Sequence, residues 1–421
     1  MRRFFCLSFA ILGTCVVMLG ATLLAQASSL SRVGVWWTPQ EVSQSDNKES
    51  RGPDIAVDDG GYLHLIWMDD TPGQFEPCYV ESENQGSSWS DVEPVPTTSD
   101  SSQGALAVGS GDTLHACWWE RTAYPVSYTL LYARRTAGAW GVEGTVVVTD
   151  SDLKKPSIAE AGNYVHVVWS NKLQPHYDLY YSRKLVNGNE WLTPTVIADT
   201  SSSSLYGRMA ADTNGNLHLV WHENTSPNEV MYISATVDAV QTTWFSPITV
   251  SADLSLDAST PDIVLGDGLV HIAFGVDVAD QDYTYDVYYA KFPISNTDTM
   301  SPSVLPNSTV RVSRELPTYA GPSVALDDQD RVHVVWNGVT GTDTWDRIYY
   351  AVSEDQGASW SQPIAISRDD EWPDGFPTIA TYGTLAHVAW QQKGTGYDHD
   401  IYYSHSLPYM KLFPLALKDY S

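Results

Sequence analysis

Apolar and polar positions along the chain repeat on a period of about fifty residues. A short apolar strand, such as Pro53-Asp54-Ile55-Ala56 or Pro322-Ser323-Val324-Ala325, is followed by a turn of Gly, Asn and Asp, as in Asp58-Asp59-Gly60-Gly61 or Asp212-Thr213-Asn214-Gly215. Those residues accept the positive φ that tight hairpins need. A strand carrying His-x-x-Trp comes next, with apolar residues on both faces, the pattern of a strand covered on both sides. A third strand holds paired aromatics (Tyr180-Tyr181, Tyr288-Tyr289, Tyr349-Tyr350, Tyr402-Tyr403). A fourth opens on Trp with Pro three residues on: Trp191 and Pro194, Trp244 and Pro247, Trp360 and Pro363. Proline cannot donate to a β-ladder, so this strand is expected at an edge.

The His-x-x-Trp strand occurs at His64, His115, His166, His218, His333 and His387, and His271–Phe274 is a seventh copy. Successive histidines are 51, 51, 52, 53, 62 and 54 residues apart, one four-stranded unit per step. The last copy lacks a Trp-x-x-Pro strand after Tyr402-Tyr403. One stands at the other end of the chain, Trp36-Trp37-Thr38-Pro39-Gln40-Glu41-Val42-Ser43. The pattern therefore predicts an all-β, seven-bladed β-propeller of four-stranded antiparallel blades, with an N-terminal strand closing the last blade and removing exposed sheet edges.

The propeller is expected over 28–406. Residues 1–27 read as an export signal: Arg2 and Arg3, an apolar run from Phe4 to Leu24, then Ala25-Gln26-Ala27 as a small-x-small cleavage site. No other segment reaches membrane-spanning length. Residues 407–421 form an apolar tail outside the blades. A secreted or cell-surface protein, monomeric, is expected.

The formal net charge of −28 repels phosphate backbones and argues against a nucleic-acid partner. Two of four cysteines lie in the leader, and Cys78 and Cys117 are expected as small buried apolar residues rather than a disulfide framework. No cofactor is expected. The Asp, Asn and Gly turns carry oxygen ligands suited to Ca2+, but hairpin geometry accounts for them without it.

Ser82-Glu83-Asn84-Gln85-Gly86-Ser87-Ser88-Trp89 and Ser353-Glu354-Asp355-Gln356-Gly357-Ala358-Ser359-Trp360 look like the Asp-box, Ser-x-Asp-x-Gly-x-Ser/Thr-Trp, the first with Asn84 in the Asp place. With the blade pattern, they resemble the sialidase superfamily (BNR-repeat propellers) over nearly all of residues 28–406. The resemblance implies the propeller fold. For an active sialidase it also implies three arginines holding a substrate carboxylate, an acidic Asp and a Tyr–Glu pair. Arg51, in Ser50-Arg51-Gly52-Pro53, keeps the Arg-x-Pro spacing of the first arginine but lacks the flanking Phe and Ile. Arg208, Arg314 and Arg368 precede later first strands and are candidates for the rest, with Asp69 or Asp70 for the acid. No Tyr–Glu pair is recognisable.

Residues that recur in every blade belong to the frame, which sets aside the seven histidines and twelve of the sixteen tryptophans. In an up-and-down blade the long second-to-third and blade-to-blade loops share one rim, where function concentrates. Trp119, Trp345 and Trp372 fall there, with Arg121 and Glu223, as candidate ligand-binding residues. Exposed aromatics there suit the apolar faces of sugars. Two readings follow: a propeller that binds a glycan or extracellular partner without catalysis, and an exo-acting sialidase-type glycoside hydrolase. A polysaccharide lyase on the same fold is a third.

Overall fold

The computed structural model describes residues 35–43, 48–71, 73–123, 125–173, 175–278, 285–294, 310–313, 321–339, 346–368, 375–393 and 398–407. Within Val35–Ser421 lie seven antiparallel sheets, six of which follow sequence order from an inner to an outer strand, while the seventh takes its outer strand from the N-terminus. Blade 1, for example, runs Ser50–Val57, Leu63–Asp69, Glu76–Ser82 and Glu93–Pro94. Among the described residues there is no α-helix, only a 3-10 turn at Ser110–Asp112. No described helix is long and apolar enough to cross a membrane.

The N-terminal segment closes blade 7 as expected. Gln40 and Glu41 pair with Tyr403 and Tyr402, Trp36 bridges to Ser406, and Trp37 N donates to His405 O at 2.9 Å. The outer strands differ from expectation in one respect. The paired stretch begins after the Trp rather than on it in most blades: Trp191 precedes Thr195–Ala198, and Trp360 precedes Ile364–Ala365. The indole is thus free to turn toward the neighbouring blade. Blade 2, without the proline, keeps an eleven-residue outer strand, Ala139–Thr149.

The frame residues form a closed ring of contacts. Each His-x-x-Trp histidine is buried, and its Nδ1 meets the hydroxyl of a third-strand tyrosine: His64–Tyr79, His115–Tyr132, His166–Tyr181, His218–Tyr232, His271–Tyr289, His333–Tyr350 and His387–Tyr403, all at 2.6–2.8 Å. Six of those tyrosines then pack edge-on against the outer tryptophan of the next blade, from Tyr79–Trp140 round to Tyr350–Trp36 and Tyr403–Trp89. In blade 4, Tyr232 meets Phe292 instead. The Trp36 contact locks the N-terminal strand into this ring. Edge-to-face pairs each contribute about 0.5–1.5 kcal/mol beyond their buried area.

The two Ser-Glu-Asx-Gln-Gly turns are held as their residue types require. Gly86 N and Gly357 N donate to Ser82 Oγ and Ser353 Oγ at 2.8 and 2.6 Å, and Ser88 N and Ser359 N donate to Asn84 and Asp355. Both glycines have positive φ and lie against a tyrosine ring of the preceding blade, Tyr403 and Tyr289, so a side chain there would overlap the ring. Cys78 and Cys117 are buried free thiols, and burial raises their pKa, Cys78 to about 12.

Candidate functional site

Among the described residues, the inner strands of six blades carry a β-bulge near their start. The register slips between Arg51/Asp54, Ser102/Ala105, Lys154/Ser157, Leu205/Arg208, Ser259/Asp262 and Gly375/Thr378. Two inner-strand residues there face one residue of the second strand, and that residue is the frame aromatic: Trp67, Trp118, Trp169, Trp221, Phe274 or Trp390. The first bulge residue is left-handed in each: Gly52, Gln103, Lys155, Tyr206, Thr260 and Phe376, with φ from +31° to +61°. Pro or Gly follows every one. Positive φ in five non-glycine residues costs of order 1 kcal/mol apiece, and such strain gathers where geometry serves a site. The inner strand begins at the blade-to-blade connection, so all six positions ring the channel mouth on the loop-bearing rim.

Across blades 2 to 4 these residues join into one surface. Gln103 Oε1 accepts from Trp119 Nε1 at 3.1 Å and from Lys155 N at 2.7 Å. The Lys155 ammonium lies 5.5 Å from the centre of the Tyr206 ring, which stacks on buried His222. Tyr128 leans on Trp119, and Tyr177 donates to Asp152 at 2.7 Å with the Lys172 ammonium near its ring. Burial and Asp152 push the Tyr177 hydroxyl upward, with Tyr128 and Tyr206 adding to the effect. Trp119, Tyr128, Tyr177 and Tyr206 are half-buried and form a shelf of aromatic faces. Phe376, 52% exposed, stands at the mouth on blade 7.

Just inside the mouth lies a girdle of charge. Arg208 Nε is 3.9 Å from Asp262 Oδ1. Asp262 also accepts from Ser323 Oγ and Val324 N of the next blade, at 2.8 and 3.0 Å. Asp54 accepts from Leu106 N at 2.9 Å and from Thr378 Oγ1 at 3.3 Å. Burial raises the Asp54 carboxyl against the pull of Arg208. Burial, then Arg208, pushes Lys155 down to about 8, while Asp262 and Asp54 oppose the fall. A cavity of about 300 Å3 opens here, lined by inner-strand residues of blades 1, 4, 5, 6 and 7.

The residues singled out from sequence fall in several places. Arg208 belongs to the girdle. Arg51 stacks its guanidinium 3.5 Å over Phe75. Arg368 is exposed and donates to Pro39 O in the closing strand at the outer edge of blade 7. Asp69 and Glu223, expected as unpaired rim charges, are buried acceptors. Asp69 takes Ser50 Oγ, Trp67 Nε1 and Thr71 N; Glu223 takes Ser204 Oγ, Trp221 Nε1 and Thr200. The frame indole two residues back supplies a donor that a buried carboxylate must meet. Asp70 accepts from Glu49 N at 2.8 Å, and Arg121 is exposed at the far end of its strand. Trp119 is on the shelf. Arg314, Trp345, Trp372, residues 1–27 and nearly all of the 407–421 tail lie outside the described residues.

Sequence reasoning passed over Asp54, Gln103, Lys155, Tyr206 and Asp262. A signal existed: the residue before the inner-strand Pro or Gly varies from blade to blade while its frame does not. Among the described residues, no group of three or more His, Cys, Asp or Glu is placed to hold a metal. The turn carboxylates are used internally, as where Asp212 accepts from Asn214 N and Asn216 N.

No protein-family model and no curated protein matches the sequence. Solved structures do. An ulvan lyase, a polysaccharide lyase, superposes with a TM-score of 0.57 at 11% identity, over 86% of this chain and 95% of that one. An α-L-arabinanase of Penicillium chrysogenum complexed with arabinobiose gives 0.54 at 11%, over 88% and 98%. An α-L-arabinofuranosidase of Fusarium graminearum gives 0.52 at 11%, over 88% and 97%. This chain shares the β-propeller fold of these proteins, with seven blades. At this identity the likeness carries the fold and not an activity.

Proposed function

We propose that this chain is an exported propeller that binds a glycan on the aromatic shelf at the loop-bearing end of its channel, without cleaving it. The observation that carries the reading is the shelf itself. Trp119, Tyr128, Tyr177 and Tyr206 come from three blades, and their half-exposed rings are flanked by Gln103, Lys155 and Asp152. Aromatic faces match the C–H faces of sugars, and the polar neighbours match their hydroxyls. The proteins it resembles in fold include enzymes named for arabinan and ulvan, which accords with a glycan ligand. Arg51 lacks the flanking Phe and Ile of the first sialidase arginine, and no Tyr–Glu pair is recognisable, which supports binding over the sialidase form of catalysis.

A glycan array followed by calorimetry on the best hit tests the reading. The full chain is expected to bind at least one glycan class, and Trp119→Ala or Tyr206→Ala to lose it with the fold intact. An array without binding would overturn the proposal. Release of 4-methylumbelliferone from its sialoside, lost in Arg51→Ala, would replace it with the hydrolase.

A further inference from the structure

The shelf leaves unexplained why charge, strain and empty space coincide just inside it. We propose that the channel mouth receives the terminal residue of a neutral glycan end-on, and that the girdle of Asp54, Arg208 and Asp262 selects against acidic sugars. The inference rests on the glycan reading above and names the ligand class that the site would take.

Space comes first. The cavity of about 300 Å3 stands at the lower end of the range for small-ligand pockets, so it suits one sugar unit rather than a longer stretch of chain. The lining comes second. Each inner strand pairs with one other strand only, so its second edge turns to the channel, where side chains of the neighbouring blade already take some of its groups, as Asp262 takes Val324 N and Asp54 takes Leu106 N. The Ser323 and Thr378 hydroxyls join them. With the Asp54 and Asp262 carboxylates and the Arg208 guanidinium, this lining offers both donors and acceptors, and a polyol is a ligand that uses both.

Charge then decides between neutral and acidic sugars. Arg208 Nε lies 3.9 Å from Asp262, and Asp54 lines the same cavity. The lining thus holds two carboxylates and one cation. A sugar carboxylate would have to draw a cation away from its partner and leave an aspartate buried without compensation, which is strongly unfavourable. A neutral sugar avoids this. Its hydroxyls can donate to Asp54 and Asp262 and accept from Arg208 with the Arg208–Asp262 pair kept. The bulges of Gln103, Lys155, Tyr206, Thr260 and Phe376 hold the mouth open in a fixed shape before any ligand arrives.

The test uses the full chain, an array and calorimetry. The probes are linear neutral oligosaccharides (gluco-, galacto-, xylo-, manno- and arabino-), the same chains capped at both ends with bulky groups, and sialylated or galacturonate oligosaccharides. Asp262→Asn keeps an acceptor for Val324 N but removes the charge. Thr378→Val removes only a hydroxyl and serves if Asp262→Asn fails to fold, which the thermal midpoint reports. The expected result is binding of a neutral uncapped glycan, at least tenfold weaker when capped and at least tenfold weaker in Thr378→Val or Asp262→Asn. Preference for an acidic glycan would overturn the inference. So would equal binding of capped chains, or unchanged affinity in both channel variants while Trp119→Ala abolishes binding; in those cases the shelf reading stands alone. Absence of binding to every probe removes both.

Discussion

Acidification from pH 7 to pH 5 should unfold this propeller through its histidine ring. Burial lowers the pKa of His166 and His271 to about 4 and that of His387 to about 3, against an ordinary value of 6.5. His64, His218 and His333 are lowered too. A histidine that stays neutral in the fold but is protonated in the unfolded chain makes unfolding easier as pH falls. Its stabilising contribution is intact above 6.5 and is lost progressively down to the folded pKa. At about 1.4 kcal/mol per pH unit, each of the first three forgoes roughly 2 kcal/mol at pH 5, or about 6 kcal/mol together. That is comparable with the whole stability of an ordinary domain, about 5–15 kcal/mol. Glu160 and Asp327, both held at about 2, lose their contributions only below the ordinary carboxylate range, so the interval from 6.5 to 5 isolates the histidines. Asp54 and Asp178, whose carboxyls are raised by burial, act in the opposite sense at the acid end. The assay is urea unfolding followed by tryptophan fluorescence at pH 7.0, 6.0 and 5.0. The stability is expected to fall with a slope of several protons per molecule, and His387→Gln to remove about one of them. A midpoint that does not move between pH 6.5 and 5, or a slope below one proton, would refute the reasoning.

Other expectations follow from the frame. Gly357→Ala places a methyl group into the Tyr289 ring at a positive φ and should cost roughly 3 kcal/mol or more, read as a lower thermal midpoint; Gly86→Ala should act alike at Tyr403. Trp336→Ala empties a fully buried site and should cost about 3–5 kcal/mol by urea unfolding. Trp119→Ala, on the half-buried shelf, should cost far less while abolishing glycan binding. Removing residues 1–43 leaves the Tyr402–Tyr403 strand as an open edge and deprives Tyr350 of its Trp36 contact, so the shortened chain should aggregate or melt earlier, as light scattering during a thermal ramp would show.

The sequence by itself determined the frame, because the frame repeats. Seven copies of one spacing gave blade number, strand order and the displaced outer strand, and recurrence marked the histidines and most tryptophans as structural. Recurrence could not show what each repeated residue touches. The partner of His387 is Tyr403, sixteen residues on, but that tyrosine's indole neighbour is Trp89, at the far end of the chain. Only closure of the ring joins them. The same limit misplaced Asp69 and Glu223. Both read as loop charges, yet each lies two residues beyond a frame tryptophan whose indole N–H points at it. Tertiary structure alone decided the site. Asp54, Lys155, Arg208 and Asp262 come from four blades spread over more than two hundred residues. What assembles them is a bulge opposite the frame aromatic, repeated around a closed ring. A local pattern fixes each of these bulges, and only the packing of the blades into a ring turns them into one mouth.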